Sequence, residues 1–270
     1  MTINLKELKP IKKYDPPKVV IYGTSGIGKT TLACQFPSPI VMDVEGGLDG
    51  IEVARVAVKT YADMLNLIKE LVTQEHEFQT LVIDSIDWAE SLIHAETSIV
   101  YGKEESKNKR YNNIEDIPYG KGYLRAESIW DEFLGALSYL CEKRKLSIVL
   151  VAHSRLEKFS DPSTATYDRY TLDLHNRASS RVNEWADAVL FANRQVYIKE
   201  ENIGFNNKKT RGVAGDRILI TNERASALAK NRYSMPDELP LDFKELAKYL
   251  PLPKREDETQ PQLPTLDEGN

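Results

Sequence analysis

The chain has 270 residues, 36 Lys and Arg against 41 Asp and Glu (net charge −5), and 41% hydrophobic side chains. This length fits one large domain or two small ones at about 100–200 residues per domain, with apolar content enough for a substantial core. The weak acidity excludes a global basic field, so any nucleic-acid binding rests on a local patch.

No apolar run approaches ~18 residues, and residues 1–13 are lysine-rich without an apolar centre, so neither membrane insertion nor a secretion signal is expected. Cys34 and Cys141 lie far apart without C-x-x-C spacing. They point to a reduced, cytoplasmic compartment and to neither a metal site nor a disulfide.

Order is expected from residue 18, after Pro16-Pro17, to residue 250, with a short arm at 1–17. Residues 251–270 hold four prolines, five acidic and two basic side chains, and read as a disordered acidic tail. The first strand is Val19-Val20-Ile21-Tyr22. It runs into Gly23-Thr24-Ser25-Gly26-Ile27-Gly28-Lys29-Thr30, which matches the phosphate loop G-x-x-x-x-G-K-[ST] at every position. A helix is expected from Thr31 to Phe36. Further buried strands are expected at 40–43, 80–84 and 147–152, and helices at 61–72, 88–100 and 123–143. Late strands at 188–191 and 217–220 flank a polar connection, 199–215, that suits a hairpin. Continuous apolar strands alternating with helices predict an α/β fold: a mostly parallel sheet covered on both faces, with an antiparallel edge.

Two long stretches interrupt the alternation and read as loops at the carboxyl side of the sheet, where ligands bind in such folds. Residues 101–122 carry Lys107, Lys109, Arg110 and Lys121 among tyrosines, and residues 155–181 carry Arg155, Lys158 and Arg169 with Phe159, Tyr167 and Tyr170. Segments of this length without regular structure inside a compact domain are usually functional or mobile. An ordinary solvated loop has the same composition.

The phosphate loop itself implies a nucleoside triphosphate. Backbone N–H groups of residues 23–31 would face the phosphates, Lys29 would reach the β and γ groups, and the Thr30 hydroxyl would ligate Mg²⁺. Asp84, ending the third strand, has the type and place of a Walker B carboxylate, which shares that Mg²⁺; an Asp there also suits a helix cap. Glu45, just beyond the second strand, can polarise the attacking water, or be a solvated acid. His153 closes the fourth strand, as a phosphate contact or as a structural cap.

Asp43-Val44-Glu45-Gly46-Gly47-Leu48-Asp49 resembles the Asp-Ala-Glu-His-Ala-Leu-Asp segment of RecA-type recombinases, whose glutamate is catalytic. It departs at Gly46-Gly47, where that segment has His-Ala. Lys230-Asn231-Arg232 is similar to the Lys-x-Lys or Lys-x-Arg element that reaches a neighbouring subunit's γ-phosphate in RecA and DnaB-type helicases. With Tyr119-Gly120-Lys121-Gly122-Tyr123 and Asn231-Arg232-Tyr233…Pro236…Leu239-Pro240, the chain resembles the shortened RecA-like ATPases of bacteriophages, over most of residues 18–235.

That resemblance implies a RecA-like P-loop core that binds ATP and Mg²⁺, with His153 sensing the γ-phosphate and Lys230 and Arg232 acting in trans. It implies DNA-stimulated hydrolysis, with residues 101–122 and 155–181 corresponding in order to the two loops that line the DNA channel, their cations neutralising backbone phosphates and their tyrosines stacking on bases. It further implies single-stranded DNA as partner, self-association as filament or ring, and a single-strand-binding protein as a further partner. It also implies the cytoplasm of a bacterial host and makes the short N-terminal arm the candidate bridge to a neighbour. Two other classes stay open at this point: a P-loop nucleotide or small-molecule kinase, and a non-catalytic nucleotide switch.

Overall fold

Strands that are apolar along their whole length must be covered on both sides, and alternation along each strand decides which layer covers which residue. A computed structural model describes residues 15–104, 109–160, 165–202 and 208–253. Residues 1–14 of the expected arm, Lys107 and the tail beyond 253 lie outside them.

The elements follow as β1 (Lys18–Gly23), α1 (Lys29–Ala33), β2 (Pro39–Asp43), β3 (Ala54–Ala57), α2 (Tyr61–Thr73), β4 (Thr80–Asp84) and α3 (Ile86–Glu104). After them come α4 (Lys121–Arg144), β5 (Ser147–Phe159), β6 (Tyr167–Leu172), α5 (Asn176–Trp185) and β7 (Ala188–Asn202). The chain closes with β8 (Lys208–Ile220), β9 (Lys230–Asn231), β10 (Glu238–Pro240) and α6 (Phe243–Ala247).

The main sheet runs β10-β8-β7-β1-β5-β4-β2-β3. From β7 to β3 every pairing is parallel, while β8 on β7 and β10 on β8 are antiparallel. This is the α/β architecture expected: a mostly parallel sheet, helices on both faces and an antiparallel edge.

Residues of one parity in the central strands, Val20, Tyr22, Met42, Ile83 and Leu150 among them, face Met64 and Ile68 of α2, Ile93 of α3, and Trp130 and Phe133 of α4. Their neighbours Val19, Ile21, Val41, Val82 and Val149 face Leu32 of α1, Phe36 and Leu246 of α6. No helix among the described residues is long and apolar enough to cross a membrane.

Four expectations are corrected. The helix after the phosphate loop stops at Ala33 and the chain turns through Phe36 into β2, because Pro37 and Pro39 bias the residues before them away from helix. The stretch 155–181 is not a bare loop: β5 runs on to Phe159, pairs antiparallel with β6 from Ser154↔Leu172 to Phe159↔Tyr167, and α5 follows. In the stretch 101–122, α3 reaches Glu104 and two 3₁₀ turns, Ile114–Asp116 and Pro118–Gly120, lead into α4. The late hairpin is longer than expected, its strands pairing from Phe191↔Ile220 out to Asn202↔Lys208.

Candidate nucleotide site

Register brings the site together. β1 lies between β5 and β7, so Gly23 stands level with His153 on one side and Ala192 on the other. A Cβ at Gly23 would sit 2.3 Å from the Ala192 carbonyl oxygen, so the loop leaves the sheet where only glycine fits. Thr24, Ser25 and Gly26 are exposed, while Ile27 is buried and anchors the loop.

Lys29 is 5% exposed. Its Nζ donates to the carbonyl oxygens of Gly23 and Thr24, each at 3.0 Å. Burial lowers the Lys29 pKa, opposed by the surrounding carboxylates Asp84, Asp87 and Glu45. Thr30 Oγ1 donates to Asp84 Oδ2 at 2.8 Å. Burial raises the Asp84 pKa against the Thr30 hydrogen bond, and the Glu45 carboxylate raises it further.

A hydroxyl and a crowded, buried carboxylate suit a hard divalent cation, whose charge would relieve that crowding. Thr30 and Asp84 therefore fit Mg²⁺ and are the residues that would hold it.

Glu45 is fastened beside this pair. The backbone N–H groups of Val44 and Glu45 donate to the Asp84 carbonyl oxygen at 2.9 and 3.2 Å. Gly46 N donates to Asp43 Oδ1 at 2.7 Å, and Leu48, 1% exposed, anchors the loop's far end in the core. Ser85 Oγ donates to Glu45 Oε2 at 3.3 Å, holding an exposed carboxylate over the site.

His153 is fixed by Asp87 at the start of α3, which takes the His153 backbone N–H at 2.9 Å and pairs with its Nδ1 at 2.8 Å. Sequence reasoning missed Ser85 and Asp87 as partners. It also missed Arg217 of β8, whose Nη1 donates to the Ile27 carbonyl oxygen at 3.3 Å. Adjacency to Asp84 was a signal for Ser85, whereas Asp87 and Arg217 depend on pairing across the sheet.

Lys230 and Arg232 are not part of this cluster. Lys230 Nζ donates to the carbonyls of Asn183 and Glu184 at the end of α5, at 2.6 and 2.8 Å. Arg232 bonds Asp187 Oδ1 at 3.0 Å and is half-exposed. Asp187 precedes β7, five residues before Ala192 at the phosphate loop, roughly 16 Å at the rise of a strand. Within one chain the two groups sit at opposite ends of the sheet.

The described cations of the two basic stretches divide. Lys109, Arg110, Lys121 and Lys158 are exposed, and Tyr119, 95% exposed at φ +60°, stands beside Lys121. Arg155 is half-buried and bonds Asn176. Arg169 corrects the expectation of an open phosphate contact: it is 8% exposed, bonds Glu223 Oε1 at 2.6 Å and lies over the Phe159 ring. A buried guanidinium already paired this way has little left to offer a backbone phosphate.

A family model described as an AAA domain matches residues 15–233. No curated protein matches the sequence. Among solved structures, the chain is similar to one titled "Crystal structure of the RadB recombinase", at 12% identity over 84% of this chain and 86% of that one, with a TM-score of 0.43.

Proposed function

Because the chain belongs to the AAA domain family, we propose that it is an ATPase of the RecA-like class that binds single-stranded DNA, self-associates and hydrolyses ATP where subunits meet, acting in recombination or strand annealing. The observation that carries the hydrolytic part is the fastening of Glu45 beside Thr30 and Asp84 by backbone and Ser85 hydrogen bonds. A carboxylate so held can take the proton of a water attacking the γ-phosphate. A phosphate-binding site alone would not call for it.

In this reading the loop N–H groups and Lys29 hold the β and γ groups, and Thr30 with Asp84 holds Mg²⁺. The ion, when bound, spreads the charge that develops on the transferring phosphoryl group. His153, oriented by Asp87, borders the phosphate loop. The exposed Lys109, Arg110, Lys121 and Lys158, with Tyr119, supply the contacts to single-stranded DNA. Lys230 and Arg232, remote from their own loop, reach a phosphate only on a neighbour, as an arginine finger does.

ATP turnover with and without single-stranded DNA tests this reading. DNA-stimulated hydrolysis, abolished in Glu45→Ala while ATP still binds, supports it. Phosphate transfer to a small acceptor, or binding with no turnover under either condition, overturns it. Mixing Lys29→Ala with Arg232→Ala subunits should restore part of the lost activity, because one interface then combines two intact halves. No recovery at any ratio of assembled subunits rules out the trans role.

A further inference from the structure

Glu90, six residues beyond Asp84, is a buried carboxylate with no part in the hydrolysis described above. Both its oxygens accept the His175 backbone N–H, at 3.1 and 3.0 Å. The His175 ring stacks on Tyr123 with centroids 4.2 Å apart and planes 6° from parallel, and His94 meets the same ring edge-on at 5.6 Å. One turn earlier on α3, Asp87 takes the backbone N–H and the ring nitrogen of His153.

His153 and His175 mark the two sides of the foot of the β5–β6 hairpin, which is closed there by Asp173 N donating to the His153 carbonyl at 3.0 Å. Residues three apart share a helix face. The helix that begins two residues after Asp84 thus grips both sides of this hairpin with two carboxylates, and the hairpin presents Lys158 to solvent.

We infer that Glu90 is a positioning residue that ties the foot of the β5–β6 hairpin to α3 and so couples DNA at the hairpin to hydrolysis at Asp84. The inference rests on the DNA-stimulated hydrolysis proposed above. A neutral amide would fill the same space at less cost, since burying a carboxylate is expensive unless its charge is used. Ionised Glu90 makes a charge-assisted bond to the His175 N–H, and protonation weakens it.

Asp87 and His94 face Glu90 from α3, Arg155 from β5, and Asp173 and His175 from the turn before α5. Tyr123 and Glu127 of α4 and Arg177 of α5 border the same small space, the last two paired with each other. Burial pushes Glu90 up to about 7, with Asp173 and Asp87 adding to the shift and the His175 N–H and Arg155 opposing it. The grip therefore changes strength around neutral pH.

The test is ATP turnover by the full chain with and without single-stranded DNA, from pH 6 to 8.5, in wild type and in Glu90→Gln. The wild-type ratio of stimulated to basal rate should rise with pH through about 7. In Glu90→Gln basal turnover should persist while the ratio falls roughly fivefold or more and loses its pH dependence. Glu90→Asp keeps the charge but shortens the reach, and should also lose the ratio. Its melting temperature and that of Glu90→Gln establish that each variant is folded.

A stimulated wild type with the same ratio and pH profile in both variants overturns the coupling alone. So does an equal loss of basal and stimulated rates. A wild type that DNA does not stimulate overturns the functional reading as well.

Discussion

Gly28 shows how tightly one residue can constrain the phosphate site. It holds φ +111°, and a Cβ there would lie 2.9 Å from Arg217 Nη1 and 3.2 Å from Leu241 Cδ2. The guanidinium is the exposed end of a flexible chain and can swing aside. The left-handed backbone cannot, and costs an alanine about 1–2 kcal/mol. Gly28→Ala is expected to weaken ATP binding about tenfold, the equivalent of 1.4 kcal/mol, while Arg217→Ala costs less. Titration with a fluorescent ATP analogue measures both, and an undiminished affinity in Gly28→Ala would show that loop geometry is not set there.

Glu90 and His94 give a second residue-scale test. Burial pushes Glu90 from 4.5 up to about 7 and His94 from 6.5 down to about 4, so folding favours the neutral form of each. A raised carboxyl contributes stability below its unfolded value that is lost as pH rises through its folded value. A depressed imidazole contributes above its unfolded value and loses that contribution as pH falls through its folded one. Across 4.5–6.5 the two slopes oppose each other and largely cancel. Glu90→Gln should therefore melt at falling temperature on acidification below 6.5, and His94→Gln on alkalinisation from 4.5 to about 7. Calorimetry across pH distinguishes them, and parallel profiles would contradict the assignment.

At the scale of elements, the same side chain can serve the fold and the chemistry, and Lys230 does the first visibly. Its ammonium satisfies two carbonyls at the end of α5, where helices leave acceptors open and favour cations. Lys230→Ala should cost on the order of 1 kcal/mol, seen as a melting temperature lowered by roughly 2–4 °C in a domain of this size. Arg232→Ala, removing a half-exposed ion pair, should leave stability nearly unchanged. Equal losses in the two variants would mean that the α5 contact carries no special weight.

This difference parallels what the sequence could reveal. β1, β2, β4 and β5 were readable because strands buried on both faces are apolar without interruption. β3 was not, since all four of its residues are exposed at the sheet edge. α5 escaped notice because its buried face is Ala178, Ser179 and Val182 in a segment otherwise rich in Arg, Asn and Ser. In the site, Lys29, Thr30 and Asp84 could be read from a motif and a strand end. The Asp87–His153 pair and the Arg217 contact exist only once β5 lies beside β1 and β8 folds back past the loop.

For the whole molecule, the direction of the parallel strands decides what one chain can do alone. Their carboxyl ends gather Lys29, Thr30, Glu45 and Asp84, while their amino ends hold Arg232 against Asp187. No rotation of the Arg232 side chain spans the strand length between them, because its reach is set by a backbone hydrogen bond from Arg232 N to the Asp187 carbonyl at 3.2 Å. If Arg232 takes part in hydrolysis, activity per chain must depend on how often chains meet. Turnover per subunit should then rise with protein concentration at saturating ATP and level off once assembly is complete. Single-stranded DNA should shift that rise to lower concentration by holding subunits side by side. If DNA is held through exposed lysines and arginines as proposed, added salt should move the DNA-dependent curve back toward higher concentration more steeply than the DNA-free one. Turnover per subunit that stays constant from nanomolar to micromolar protein, with DNA present or absent, would place the whole active site within one chain and leave Arg232 as the structural partner of Asp187.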